Sequence, residues 1–283
     1  MKISLIITTY NWKEALDLAF KSIARQTVLP DEIIVADDGS RPDTEELVAK
    51  WAQRLAMPVR HLWQEDIGFR ASRARNRAIA AAIGDYIIAV DGDMVLNAHF
   101  VEDHRRMARR GFFVQGARLL TGPTAAKSML DQERFELGFF EADIKRRRHT
   151  IRNLWLSALV FLRSHTNQKA IRSCNQAYWR EDLLKVNGFD EQMIGWGRED
   201  NDLAERLYNI GVRRKNLKFA GLATHLHHKS RQPQGENPND KYLSATIQNK
   251  SRRCELGIDQ HSAEFAAQTK VASRWYPAPR DES

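Results

Sequence analysis

Short apolar runs alternate with stretches of helical period through the first 115 residues, and most of the apolar runs stop abruptly at polar side chains. Ile3 to Thr8, Glu32 to Asp37, Val59 to Trp63 and Tyr86 to Val90 have the length and near-continuous apolar character of strands buried on both faces. Between them Lys13 to Arg25, Asp43 to Ala56 and Ala71 to Ala82 read as helices, with Pro42 near the start of the second and Gly84 just past the third. This order predicts an α/β fold with a Rossmann-like, mixed but mostly parallel sheet flanked by helices. In open sheets of that kind, ligands bind beyond the carboxyl ends of the strands.

Those ends carry chemistry. The first strand runs into Thr8, Thr9, Tyr10 and Asn11, the second into Asp37, Asp38, Gly39 and Ser40, and the fourth into Asp91, Gly92 and Asp93. Turn chemistry alone explains a single Asp-Gly pair, but three such ends in one sheet argue together for a site. No G-x-G-x-x-G or Walker A pattern follows the first strand, so neither a dinucleotide fingerprint nor a P-loop is available. The pair Asp91 and Asp93 offers oxygen ligands to a hard cation, Mg²⁺ or Mn²⁺, of the kind that bridges carboxylates and phosphates.

From Ala117 to Lys169 the alternation is lost. Lys145, Arg146, Arg147, Arg148 and His149 precede the apolar stretch Leu154 to Leu162, which suits either an interfacial helix or a core helix with a charged flank. Order returns after Arg172, and Glu199 to Tyr208 reads as a helix because its apolar residues fall at four-residue spacing. Ser230 to Asp240 reads as a polar linker, and the chain ends in PAPRDES, expected to fray. The formal net charge of +8 fits an anionic partner: nucleic acid, a nucleotide phosphate or an anionic membrane. Cys174 and Cys254 match neither a zinc spacing nor a disulfide framework. No signal peptide pattern and no 18-residue apolar stretch occur, so a cytoplasmic protein is expected.

The stretches SLIITTYN, PDEIIVADDGS, ARN and GDYIIAVDGDM resemble the family 2 glycosyltransferases of the GT-A fold. GFDEQMIGWGREDNDLAERLYNIGV is similar to the acceptor half shared by β-1,4-galactosyltransferases and bacterial chondroitin-type polymerases. The resemblance implies a single GT-A domain over 1–235. Within it, 1–115 would hold the nucleotide sugar and 171–235 the acceptor, with 116–170 a basic insertion facing membrane or acceptor and 236–283 a C-terminal tail. It implies that Thr8, Tyr10 and Asp38 hold the uracil of a UDP-sugar, that Arg75 and Asn76 lie near the diphosphate and donor sugar, and that Asp91 touches sugar or ribose. Asp93 becomes the direct metal ligand. Asp200 becomes the base that deprotonates the acceptor hydroxyl, with Glu199 in support. A carboxylate at a helix N-terminus is also favoured in its ionised form. Trp196 offers a flat face for a sugar ring, or a packing surface, and Asn201 stands where related enzymes carry a further acid.

Relatives complete the metal site with a histidine, and the run THLHHK supplies His225, His227 and His228. Either His225 or His228 is available, while alternation along an extended segment would pair His225 with His227. His225 is preferred. The expected activity is metal-dependent, inverting transfer of a hexose or N-acetylhexosamine from a UDP-sugar to a saccharide or lipid-linked acceptor. The expected setting is bacterial surface polysaccharide or lipopolysaccharide synthesis, peripheral to the inner face of the cytoplasmic membrane. A sugar nucleotidyltransferase would need a glycine-rich basic loop after the first strand, which TTYNWKE lacks. A nucleic-acid-binding protein would show a recognition motif or a basic stripe, and neither is present.

Overall fold

The computed structural model describes residues 1–228, 235–267 and 274–276. Strands and helices β1 (Ile3–Thr9), α1 (Lys13–Ala24), β2 (Glu32–Asp37), α2 (Pro42–Ala52), β3 (Val59–Trp63), α3 (Ala71–Ala81) and β4 (Tyr86–Asp91) agree with the alternation read from the sequence, α2 stopping four residues short of Ala56. There follow β5 (Met94–Leu96), α4 (Phe100–Met107), β6 (Phe112–Gly116), β7 (Leu119–Thr121), α5 (Pro123–Asp131), β8 (Ile144–Lys145), a 3-10 turn (Arg147–Thr150), α6 (Leu154–Phe161) and β9 (Ser164–His165). The chain continues through β10 (Asn175–Trp179), α7 (Arg180–Val186), α8 (Glu199–Asn209), β11 (Arg213–Leu217), β12 (Ala223–His225), α9 (Asp240–Asn249), α10 (Asp259–Ala267) and β13 (Arg274–Tyr276).

The main sheet has the order β13-β3-β2-β1-β4-β10-β6-β11-β9. Strands β3, β2, β1 and β4 are mutually parallel. Their side chains divide by alternation. Ile3, Leu5 and Ile7 pack with Leu16, Phe20 and Ile23 of α1 and with Val48 and Trp51 of α2. Ile6, Ile34 and Ala36 face the opposite way, onto Ala74 and Ala78 of α3, Leu183 of α7, and Leu203 and Leu207 of α8. Burial on both faces is why these strands read as unbroken apolar runs.

Two features positioned by long-range pairing shape the site. Strand β10 enters antiparallel between β4 and β6, with Asn175 opposite Val90, so the residues just before β10 meet the carboxyl end of β4. A second sheet, β5-β12-β7-β8, lies beyond that end and pairs β12 antiparallel to β5, with His225 opposite Met94. The alternation lost after residue 117 is thus replaced by short strands in both sheets, too brief to show a period.

The region after 235, expected as a tail, carries α9 packed on α8 and α10 packed on α3. His261 bonds to Glu191 at 2.7 Å and Arg77 to Glu264 at 2.7 Å, contacts that join residues far apart in sequence and that no local pattern announces. Ser230 to Gln234 of the polar linker and the terminal PAPRDES lie outside the described residues. Both cysteines are free and buried. No helix among the described residues is long and apolar enough to cross a membrane.

Candidate active site

The parallel register sets the polar strand ends side by side, with Thr8 opposite Asp91 and Thr9 opposite Asp37. They open into a cleft of about 1320 Å³, lined also by the start of α8 and by β12. Thr8, Tyr10, Asp38, Arg75, Asp91, Asp93, Trp196, Glu199, Asp200, Asn201, His225 and His228 all line it.

Arg75 joins the walls. It sits in the second turn of α3, 5% exposed, and its guanidinium has three partners on three other elements. Nε donates to Thr8 Oγ1 at 3.2 Å, Nη2 to Asp91 Oδ1 at 3.3 Å and Nη1 to Glu199 Oε1 at 3.3 Å. Burial alone would weaken this cation, but Asp91, Glu199 and Asp200 outweigh it and raise the pKa. A buried charge held this way is a fixed element of the site, because losing it would leave two carboxylates without their counter-ion.

Asp200 is the second residue of α8, which begins after two consecutive residues of positive φ. Gly197 has φ +94°, and a Cβ there would come within 2.8 Å of Asn237 Nδ2. Arg198 follows with φ +77°. This abrupt entry turns the first residues of the helix toward the cleft. Asp200 accepts from the backbone N–H of Asn201 at 2.8 Å and of Ser173 at 3.2 Å. Burial and then the neighbouring Glu199 push its carboxyl up to about 7, against the opposing pull of Arg75 and the two N–H donors. The helix end does not win here, contrary to the expectation of a fully ionised acid. A carboxyl balanced near neutrality is still well matched to take a proton at physiological pH.

Asp93 faces two imidazoles. His228 Nε2 lies 3.1 Å and His225 Nε2 3.5 Å from Asp93 Oδ2, and one donor atom from each of the three residues falls within 4.8 Å of the others. The antiparallel pairing explains the contact, since Leu226 N donates to the Asp93 carbonyl at 3.0 Å and holds His225 beside the D-x-D turn. Burial lowers the pKa of His225, which favours the neutral imidazole that metals bind. Asp93 Oδ1 is buried and has no hydrogen-bond partner, an orphaned acceptor of the kind a cation would satisfy. The set therefore fits a divalent cation. His227, the alternation partner of His225, stands outside the cluster, and its backbone N–H donates to Thr121 Oγ1 at 2.9 Å.

The remaining residues differ in how open they are. The Asp38 carboxylate accepts from the Gln64 amide at 2.6 Å and the Arg70 N–H at 2.8 Å, and burial raises its pKa. The Tyr10 hydroxyl donates to Asp66 at 2.9 Å. Trp196 is 41% exposed, so stacking surface is available. Asn201 donates to Gln168 Oε1 at 2.9 Å.

Asn76, expected near the diphosphate and donor sugar, lies elsewhere. It is fully buried and does not line the cleft. Its Nδ2 donates to the Phe189 carbonyl at 2.7 Å and to Glu191 at 2.8 Å, and its Oδ1 accepts from Phe189 N at 2.8 Å. One residue after Arg75 on a helix points about 100° away, so the two neighbours in the ARN stretch divide between cleft and core.

Sequence reasoning missed Arg118, Arg172 and Cys174. All three line the cleft, Arg118 and Cys174 beside Asp91 and Asp93. Arg118 donates to Cys174 Sγ at 2.6 Å, and against burial its cation is strengthened by Asp91 and Asp93. Burial pushes the Cys174 thiol up to about 12, so it is a neutral packing group. Arg146 feels Arg172, Arg118 and Arg148, which with burial lower its pKa. This side of the cleft therefore concentrates positive charge. The only local hint was the basic run itself.

Two family models match the chain: glycosyl transferase family 2 over residues 4–169 and the N-terminal domain of galactosyltransferase over residues 157–229. Chondroitin synthase of Escherichia coli is 26% identical over 265 residues, covering 87% of this chain and 37% of the relative. Validoxylamine A glucosyltransferase of Streptomyces hygroscopicus is 26% identical over 246 residues, covering 74% of this chain and 48% of the relative. The chain thus spans between a third and a half of the length of these relatives. Among solved structures, Staphylococcus aureus TarS superposes with a TM-score of 0.59 at 20% identity, over 97% of this chain and 44% of that one. That likeness shows the GT-A fold. With the first model covering more than half of its length, the chain belongs to glycosyl transferase family 2.

Proposed function

We propose that this glycosyltransferase moves a hexose or N-acetylhexosamine from a UDP-sugar to a saccharide or lipid-linked acceptor with inversion at the anomeric carbon, in bacterial surface polysaccharide or lipopolysaccharide synthesis. The observation that carries the reading is one cleft holding a carboxyl near neutrality, Asp200, and an Asp93–His225–His228 donor set. In this reading Asp200 accepts the proton of the acceptor hydroxyl as its oxygen bonds to the anomeric carbon, while the bond from that carbon to the diphosphate oxygen breaks on the opposite face. The backbone N–H groups of Asn201 and Ser173 hold Asp200 in place, and Glu199 and Arg75 tune its proton affinity. Asp93, His225 and His228 would hold the cation, and the imidazoles favour Mn²⁺ over Mg²⁺. The bound cation would neutralise charge developing on the diphosphate.

Thr8, Tyr10 and Asp38 would receive the base, Asp91 the ribose or donor sugar, and Trp196 and Asn201 the acceptor. Residues 1–115 and 171–235 would then divide donor from acceptor. The donor reading is supported by solved relatives of the same fold, TarS in complex with UDP-GlcNAc and a Pyrobaculum calidifontis mannosyltransferase in complex with GDP-Man and Mn²⁺. Arg118, Arg172 and Lys145 favour an acceptor that carries phosphate or carboxylate. Family membership displaces the nucleotidyltransferase and nucleic-acid-binding alternatives.

A donor panel tests this. UDP-glucose, UDP-galactose, UDP-GalNAc, UDP-GlcNAc and GDP-mannose are incubated with the protein and Mn²⁺, and nucleoside diphosphate release is measured. Release from at least one UDP-sugar, lost on chelation, is expected. Release from GDP-mannose alone would overturn the donor assignment, and release indifferent to chelation the metal assignment.

A further inference from the structure

Helix α6 presents its faces the wrong way round for a helix lying on a sheet in water. Its sequence LWLSALVF contains one polar side chain, Ser157, which is fully buried with no hydrogen-bond partner for its Oγ. Only Ser157 and Phe161 are buried along it, with Leu154 packed partly against the core. Trp155 is 85% exposed, Leu159 61% and Leu162, its C-cap, 77%. These three stand at i, i+4 and i+7 and so form one outward stripe, widened by Leu156. A contiguous apolar stripe differs from scattered exposed residues because it marks a surface that something covers.

Cations gather at both ends of the helix. His149, just before it, feels Arg146, Arg148 and Lys218, and burial together with these charges lowers its pKa to about 4. His165, just after it, feels Arg163, Lys215 and the Lys218 that His149 also feels, besides the buried Arg214. Lys215 Nζ also donates to the Phe161 carbonyl at 2.5 Å, closing the helix end. The helix is anchored, since Asn153 caps its start by accepting from Leu156 N at 3.0 Å and donates its own N–H to the Phe219 carbonyl at 2.8 Å. An apolar stripe containing tryptophan between two cationic clusters is complementary to the acyl boundary and phosphates of an anionic bilayer. Two copies of the same face would oppose like-charged ends in any antiparallel or parallel pairing, which disfavours self-association.

We propose that α6 docks this protein onto an anionic lipid surface, with Trp155, Leu159 and Leu162 entering the headgroup boundary and the flanking arginines and lysines meeting lipid phosphates. Lys145, upstream of the helix, and Gln168 and Ala170 to Cys174, downstream, line the cleft, so the docking helix is flanked in sequence by the cationic side of the cleft. The proposal stands apart from the donor and base assignments above.

The test is sedimentation with vesicles of phosphatidylcholine alone or mixed with phosphatidylglycerol, using the full chain. Wild type should partition to the mixed vesicles and not to phosphatidylcholine, and Trp155→Ser with Leu159→Ser should lower that partition roughly tenfold at unchanged melting temperature and UDP affinity. Trp155→Ala alone should give a smaller loss in the same direction, and serves if the double variant melts early. Equal partition of wild type and variants to mixed vesicles would overturn the proposal, as would equal wild-type binding to both vesicle types. A wild-type dimer by light scattering that Leu159→Ser converts to monomer would assign the face to self-association instead.

Discussion

Replacing Glu199 with glutamine should move the pH dependence of transfer without removing it. Burial and the Glu199 carboxylate raise Asp200, in that order, and Arg75 opposes them. The substitution removes the second of these and leaves the first. Two unit charges about 7 Å apart at an effective dielectric near 20 interact by roughly 2 kcal/mol, or ~1.5 pKa units. Arg75, 3.3 Å from Glu199, loses one of its two carboxylate partners and keeps Asp91. Its cation then acts more fully on Asp200, in the same downward direction. If Asp200 must be ionised to accept the proton, the rising limb of kcat/KM against pH lies near 7 in wild type and moves acidward by at least about 1.5 units in the variant. The assay is initial-rate donor turnover from pH 5 to 9 at saturating Mn²⁺, with melting temperature and UDP affinity as controls for the position of Arg75. A limb that stays in place, or moves to higher pH, would refute the assignment of Asp200 as the titrating base.

Three further outcomes follow from the same geometry. Asp200→Asn should abolish turnover and also flatten the pH dependence of stability. Because its folded pKa lies above the ordinary carboxyl value, stability falls as pH rises from about 4 to 7, and urea midpoints at pH 5 and 8 should converge in the variant, recovering on the order of 2 kcal/mol at pH 8. Asp93→Ala should remove the increase in UDP affinity given by Mn²⁺, and a calorimetric titration that retains the increase would place the cation elsewhere. Asn76→Ala leaves Phe189 N and Glu191 short of partners and should cost about 2–4 kcal/mol in denaturant unfolding, with UDP affinity unchanged; weakened UDP binding in the folded variant would return Asn76 to the donor site.

The parallel half was legible because each of its strands is buried on both faces and each helix repeats its apolar positions, so periodicity reports the fold directly. Even the site was partly visible, since Asp38, Asp91 and Asp93 end strands that must lie side by side in a parallel sheet. What escaped was set by pairing at long range. Strand β10 carries Arg172 to Cys174 against Asp91 only because it runs antiparallel into the sheet, and no local pattern marks that choice. The selection of His228 over His227 beside His225 depends on the chain leaving the extended path after β12, where alternation ceases to apply. Asn76 was misplaced for a related reason: a sequence neighbour of Arg75 shares its helix but not its face. The helices after residue 235 were hidden among polar residues, since their docking is set by contacts to residues far away in sequence, such as His261 with Glu191 and Thr246 with Asp202.

The most direct test of sugar transfer with inversion is the configuration of the first product released. With an α-linked UDP-sugar and Mn²⁺, proton NMR recorded before mutarotation should show the β-anomer, whether the acceptor is a saccharide or water, and Asp200→Asn should give none. A first product of α-configuration, or β-product formed at the wild-type rate by Asp200→Asn, would contradict the account.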